Sequence, residues 1–88
     1  MGHDFHIPCQ SIEIYIIYGN NKKLSISFFC QQCFRTLGVA FLKEEINKIL
    51  GIDTNNQILM KDGKILKDSE TNESNNIDNG TVLVLRIN

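Results

Sequence analysis

Hydrophobic and polar positions change their period twice along the chain. Ser11 to Tyr18 is dense in β-branched and aromatic residues, the types that fit a pleated surface. Lys22 to Phe29 alternates strictly, with Leu24, Ile26 and Phe28 in one phase and Lys23, Ser25 and Ser27 in the other. Gly19-Asn20-Asn21 lies between them, and both residue types tolerate positive φ. The two runs predict a β-hairpin with one wet face. Then Val39, Leu42, Ile46, Ile49 and Leu50 recur at helical spacing, with Lys43, Glu44, Glu45, Asn47 and Lys48 between them. The spacing predicts a helix over Val39–Leu50, with Thr36 as candidate N-cap and Gly51 at the expected C-cap position.

The pattern returns to strands after the helix. Gln57 to Lys61 reads as one, and Asp62-Gly63 is a two-residue hairpin signal, because a type I′ turn needs φ > 0 at both positions. Lys64 to Leu66 is the short return strand. Lys67 to Asn79 is polar, with Ile77 its only apolar residue, and reads as a long loop. Asn79-Gly80 makes another turn into Thr81–Ile87, a strand apolar enough for the interior of a sheet. One helix must cover one face of the sheet for each to bury its apolar side. The expected fold class is therefore α+β, a sheet of four to five strands packed on one helix. Residues 1–10 carry no period and are expected to be a flexible lead-in to a single domain over 11–88.

Composition excludes several classes of function. The chain has 88 residues, 42% of them hydrophobic, and a net charge of −1. No basic field is present to hold a phosphate backbone, so no nucleic-acid partner is expected. No apolar run approaches the roughly 20 residues that span a bilayer, and no secretory signal is visible, so no membrane partner is expected. Three cysteines do not suggest a disulfide framework. A cytoplasmic or nuclear monomer is the expectation.

Two segments carry a resemblance. Leu42-Lys43-Glu44-Glu45-Ile46-Asn47-Lys48-Ile49-Leu50-Gly51-Ile52 is the first, and Asn56-Gln57-Ile58-Leu59-Met60-Lys61-Asp62-Gly63-Lys64-Ile65-Leu66-Lys67-Asp68 is the second. Ile77, Gly80 and Val82 to Arg86 continue them. The run resembles ubiquitin-like domains without a gap: helix, Gly-Ile, Gln-x-Leu-Ile, Gly-Lys-x-Leu-x-Asp, then a final Leu-x-Leu strand. The N-terminal hairpin also fits. The Gly63-to-Asp68 run most resembles the N-terminal ubiquitin-like domains of ubiquilin-type shuttle proteins. The resemblance implies a β-grasp fold with a mixed sheet. Departures are present. Asn72 and Asn75 replace the family's Leu and Tyr in the loop before the last strand, which should leave that loop less well anchored. Cys30 to Gly38 is longer than the usual connection. Lys61 replaces a common aromatic or apolar residue. The sequence ends at Arg86-Ile87-Asn88 without a Gly-Gly tail, so conjugation to other proteins is not expected.

The binding face depends on strand phase. Arg86 belongs in water, which turns Leu83, Leu85 and Ile87 inward and Val82 and Val84 outward. Alternation alone would bury Ile58 and Met60 and expose Leu59; the resemblance implies the reverse, and a one-residue slip would break its gap-free match. It places Ile58, Met60, Ile65 and Val84 together on the outer sheet face, beside Lys64 and Arg86. Such an apolar cluster with a basic rim suits a partner's amphipathic helix. The implied role is a non-catalytic interaction domain that docks a larger protein to proteasome receptor subunits or to proteins with ubiquitin-interacting helices. The alternatives are a ubiquitin-like modifier whose Gly-Gly tail lies outside this sequence, and a small zinc-binding or redox protein.

The last alternative rests on Cys30-Gln31-Gln32-Cys33, which has the spacing of a zinc half-site or a redox pair. A full tetrahedral site needs two more ligands, for which His3, His6 and Cys9 are the candidates if the lead-in folds back. A redox pair of the thioredoxin type would open a helix after a strand, and the segment reads instead as a loop. No cofactor and no metal are therefore expected. No phosphate loop appears, and neither histidine has an acid partner at a defined spacing, so no catalytic residue is expected.

Overall fold

The computed structural model describes residues 10–88. Its strands are β1 (Ile12–Tyr18), β2 (Lys22–Phe28), β3 (Gln57–Lys61), β4 (Lys64–Ile65) and β5 (Val82–Ile87), and its helices α1 (Gln31–Thr36) and α2 (Val39–Leu50). Short 3₁₀ turns cover Thr54–Asn56 and Glu73–Asn75. The five strands form one sheet in the order β2-β1-β5-β3-β4. β1 runs parallel to β5, and the other pairs are antiparallel. This is the expected mixed β-grasp sheet with a helix across one face, and the apolar β5 lies at its centre.

The turns follow from the residues that make them. Asp62 and Gly63 both have positive φ, 52° and 81°, as a type I′ hairpin requires. Gly51 ends α2 at φ 73° and donates its N–H to the Asn47 carbonyl. Side chains from every layer meet in the core. Ile12, Ile14 and Ile16 of β1, Leu83 and Leu85 of β5, and Leu59 of β3 face Val39, Leu42 and Ile46 of α2.

Five expectations are corrected. The segment from Cys30 to Gly38 is not a plain loop: it holds α1, which buries Phe34 against the core, 4.7 Å from the Phe28 ring. Thr36 does not cap α2. It ends α1 with its hydroxyl bonded to the Cys33 carbonyl, and Gly38 is the N-cap. The Val39 N–H instead donates to the Glu70 carbonyl, so the polar loop closes the helix start. Lys43 is buried rather than solvated, its ammonium 2.6 Å from Asp68. Ile49 and Ile87 stay about half exposed, at 50% and 54%. Ile87 keeps the inward phase, in register with buried Gln57, but at the end of β5 it stays about half exposed among the described residues.

The loop before β5 is the fifth correction, because it is firmly anchored. Asn72 is fully buried. Its side-chain N–H₂ donates to the Phe34 carbonyl at 2.9 Å, and its backbone N–H donates to Leu37. The Ile77 N–H closes onto the Asn72 carbonyl, which seats Ile77 in the core. Asn75 is held by the Glu70 carboxylate and the Thr71 carbonyl. Polar bonds to α1 thus replace the apolar anchors of the resemblance, and the longer connection supplies their acceptor. The expected lead-in lies outside the described residues, apart from Gln10.

Candidate protein-binding face

The face of the sheet opposite α2 is organised in rows that the strand register defines. In paired strands, residues opposite one another point the same way. Ile17 of β1 pairs with Val84 of β5, Val84 with Met60 of β3, and Met60 with Ile65 of β4. These four side chains make one apolar row across four strands. Tyr15 and Val82 form a second, shorter row beside it. Ile58 and Arg86 form a third on the other side. Leu59 is fully buried while Ile58 and Met60 stay partly exposed. Val82, Val84 and Ile65 are 50%, 43% and 57% exposed.

Charges frame this band. Arg86 of β5 is exposed in the row beside it, opposite Ile58. At the β2 side the Lys23 ammonium sits 4.3 Å from the Tyr15 ring centroid, a cation–π contact. The Tyr15 hydroxyl donates to the Glu13 carboxylate at 2.9 Å, and the Ser25 hydroxyl bonds the other oxygen. These two bonds, Ser25 first, hold the Glu13 carboxyl below its ordinary value, while Glu13 pushes the Tyr15 phenol up. The bonds fix the Tyr15 ring on the face.

Of the six residues expected at the site, five share this face: Ile58, Met60, Ile65, Val84 and Arg86. Lys64 does not. It pairs with Lys61 in the opposite phase and lines a shallow concavity with Lys61, Leu66 and Asn75. A two-residue strand turns successive side chains to opposite faces, so Ile65 and Lys64 cannot both join Met60. Sequence reasoning missed Ile17, Tyr15 and Lys23. The signal was present in β1, where burying Ile12, Ile14 and Ile16 must turn Glu13, Tyr15 and Ile17 outward. The adjacent pair Ile16-Ile17 hid that phase.

The cysteine pair lies away from this face. Cys30 is the N-cap of α1 and is half-buried, and Cys33 is exposed in the helix. The pair therefore does open a helix after a strand, contrary to the reading as a loop. A hydrogen bond with Cys30 pushes the Cys33 thiol up. Among the described residues no three metal-ligating side chains gather at one point. His3, His6 and Cys9 lie outside the described residues.

The family model described as the ubiquitin family matches residues 23–88. No curated protein matches the sequence. Among solved structures, a chain in the crystal structure of ATBAG1 in complex with HSP70 superposes with a TM-score of 0.76 at 18% identity. The match covers 88% of the present chain and 40% of that one. At this identity the likeness is one of fold.

Proposed function

The chain belongs to the ubiquitin family, and on that premise we propose that it is a non-catalytic docking module whose outer sheet face receives an amphipathic helix of a partner protein. The observation that carries this reading is the row Ile17–Val84–Met60–Ile65, a contiguous line of partly or fully exposed apolar side chains across four strands. A contiguous apolar band with charged edges marks a protein interaction surface. A helix would lay its apolar stripe along the row, and its acidic residues would reach Arg86 on one side and Lys23 on the other. Met60 adapts its side chain to different partners. The partners that fit are proteasome receptor subunits or proteins with ubiquitin-interacting helices, which would recruit a larger protein carrying this domain. The same reading places its action in the cytoplasm or nucleus.

The face is flat, so binding is expected near micromolar, about −8 kcal/mol. The test is an NMR titration of the labelled chain with a ubiquitin-interacting helical peptide. Signals of Met60, Val84 and Ile17 are expected to move together, and Met60→Asp should weaken binding by about tenfold or more, roughly 1.4 kcal/mol. Because Met60 is partly exposed, the variant should keep the fold. Shifts confined to the α2 side, or none at all, would overturn the reading.

A further inference from the structure

The docking face leaves the cysteine pair unused, and the fold closes one turn around it. Cys30 is extended (φ −131°, ψ 113°) and is the N-cap of α1, while Cys33 is the third helical residue. The Phe34 N–H donates to the Cys30 carbonyl at 2.9 Å, which completes the first turn of the helix. Side chains at the cap and third positions lie over the same turn, the relation a capping box uses. Here both are thiols, and they hydrogen-bond to one another. Helical rise and radius put Cα atoms three residues apart at about 5 Å. That lies inside the roughly 4.4–6.8 Å that a disulfide bridges.

Distant parts of the chain hold that turn in place. The Gln31 N–H donates to the Gln10 carbonyl at 2.9 Å, and the Gln31 amide donates to Asp78 at 2.8 Å. Phe34 is buried in the core, and its carbonyl accepts from Asn72. The two thiols differ in access: Cys33 is exposed and Cys30 is half-buried. A reagent from solution therefore meets Cys33 first, with Cys30 waiting beside it. Two adjacent thiols of unequal access are the arrangement of an entry thiol and a resolving thiol.

We propose that Cys30 and Cys33 form a reversible disulfide, a redox modification site that clamps the first turn of α1. The oxidant is a low-molecular-weight disulfide of the glutathione class. The Cys33 thiol loses its proton and attacks one sulfur of the oxidant, so a mixed disulfide forms and one small thiolate leaves. The Cys30 thiol then loses its proton and attacks the Cys33 sulfur, and the second small thiolate leaves. Two electrons pass to the oxidant, and the two protons end on the departing thiols. Excess small thiol runs the exchange backwards and restores the pair. Contact with Cys30 raises the Cys33 thiol above its ordinary value, so attack is slower than at an activated cysteine. The pair is thus a site that is modified, not an oxidoreductase centre. Joining sulfurs already in contact leaves Phe34 and its carbonyl in place, so the loop before β5 keeps its anchor.

The test holds the reduced full chain in glutathione buffers of rising oxidised fraction, blocks remaining thiols by alkylation and reads the tryptic peptide 24–35 by mass spectrometry. That peptide contains Cys30 and Cys33 but not Cys9, so an unalkylated form lighter by two hydrogens reports their disulfide alone. The native chain should give that form, reversibly and without a lasting glutathione adduct. Cys30→Ser removes the resolving thiol and supplies a favoured N-cap, so α1 should stay folded. In this variant Cys33 should hold glutathione instead, about tenfold more than in the native chain. Cys9→Ser should oxidise as the native chain does. Thiols that stay reduced across the series would overturn the proposal, as would a stable adduct on the native chain or a disulfide lost in Cys9→Ser. So would a lower urea midpoint for the oxidised chain than for the reduced one, because the bond would then distort the turn.

Discussion

At the scale of single residues, Asn72 shows how this domain solves a packing problem. A fully buried amide must find partners or lose stability. Its N–H₂ reaches the Phe34 carbonyl, an acceptor that exists at that point only because α1 was inserted. Asn72→Ala removes the bond and opens a small void, and is expected to cost about 2 kcal/mol in urea denaturation. Asn72→Leu should stay within about 1 kcal/mol of the native chain, because the Phe34 carbonyl still accepts from Leu37 and the new side chain is apolar. A severe loss for Asn72→Leu would show that the amide bond, rather than filled volume, holds the loop. The phase of Leu59 against Met60 was legible in the sequence, because the match around Gln57 and Gly63 admits no slip. The anchoring by Asn72 was not legible, since its acceptor is a backbone carbonyl 38 residues away.

At the scale of elements, α1 joins parts of the chain that are far apart in sequence. Phe34 fills the core beside Phe28, and Arg35 pairs with Asp78 at 3.3 Å. Phe34→Ala should cost about 3–5 kcal/mol, as burial of an aromatic ring and the cavity it leaves dictate. That loss is measurable as a drop in the urea midpoint with little change in slope. A small domain holds only about 5–15 kcal/mol in total, so the variant should be marginally folded. An effect below about 1 kcal/mol would mean that α1 is an ornament on the core rather than part of it. The sequence announced the other elements because their signals are local: period two for the strands, period 3.6 for α2, Asp62-Gly63 and Gly51 for the turns. A six-residue helix gives fewer than two turns, too few for a period to register. Its one buried residue, Phe34, looks the same in a loop.

At the scale of the whole molecule, three carboxylates link the architecture to pH. Hydrogen bonds hold each below its ordinary value: Glu13 chiefly by the Ser25 hydroxyl, Glu70 chiefly by the Asn75 amide, and Asp78 chiefly by the Gln31 amide. They join β1 to β2, close the polar loop on itself, and tie α1 to the start of β5. A carboxyl whose folded pKa is depressed adds stability that is fully present above its unfolded value. For glutamate that value is 4.5 and for aspartate 3.8. The contribution drains as pH falls through the lower folded values. Stability is therefore expected to be flat from neutral pH down to about pH 5 and to decline steadily below it. Net charge acts in the same direction, because the ten acidic side chains neutralise while the nine lysines and arginines stay charged. The two causes separate in Asp78→Asn. The variant changes overall charge by only one unit, yet it removes one of the three depressed carboxyls. Its urea midpoint should start lower at pH 7, where the native contact is intact. It should then fall less between pH 5 and pH 3 than that of the native chain. Parallel acid profiles for the two would show that bulk repulsion, and not these three contacts, governs acid unfolding.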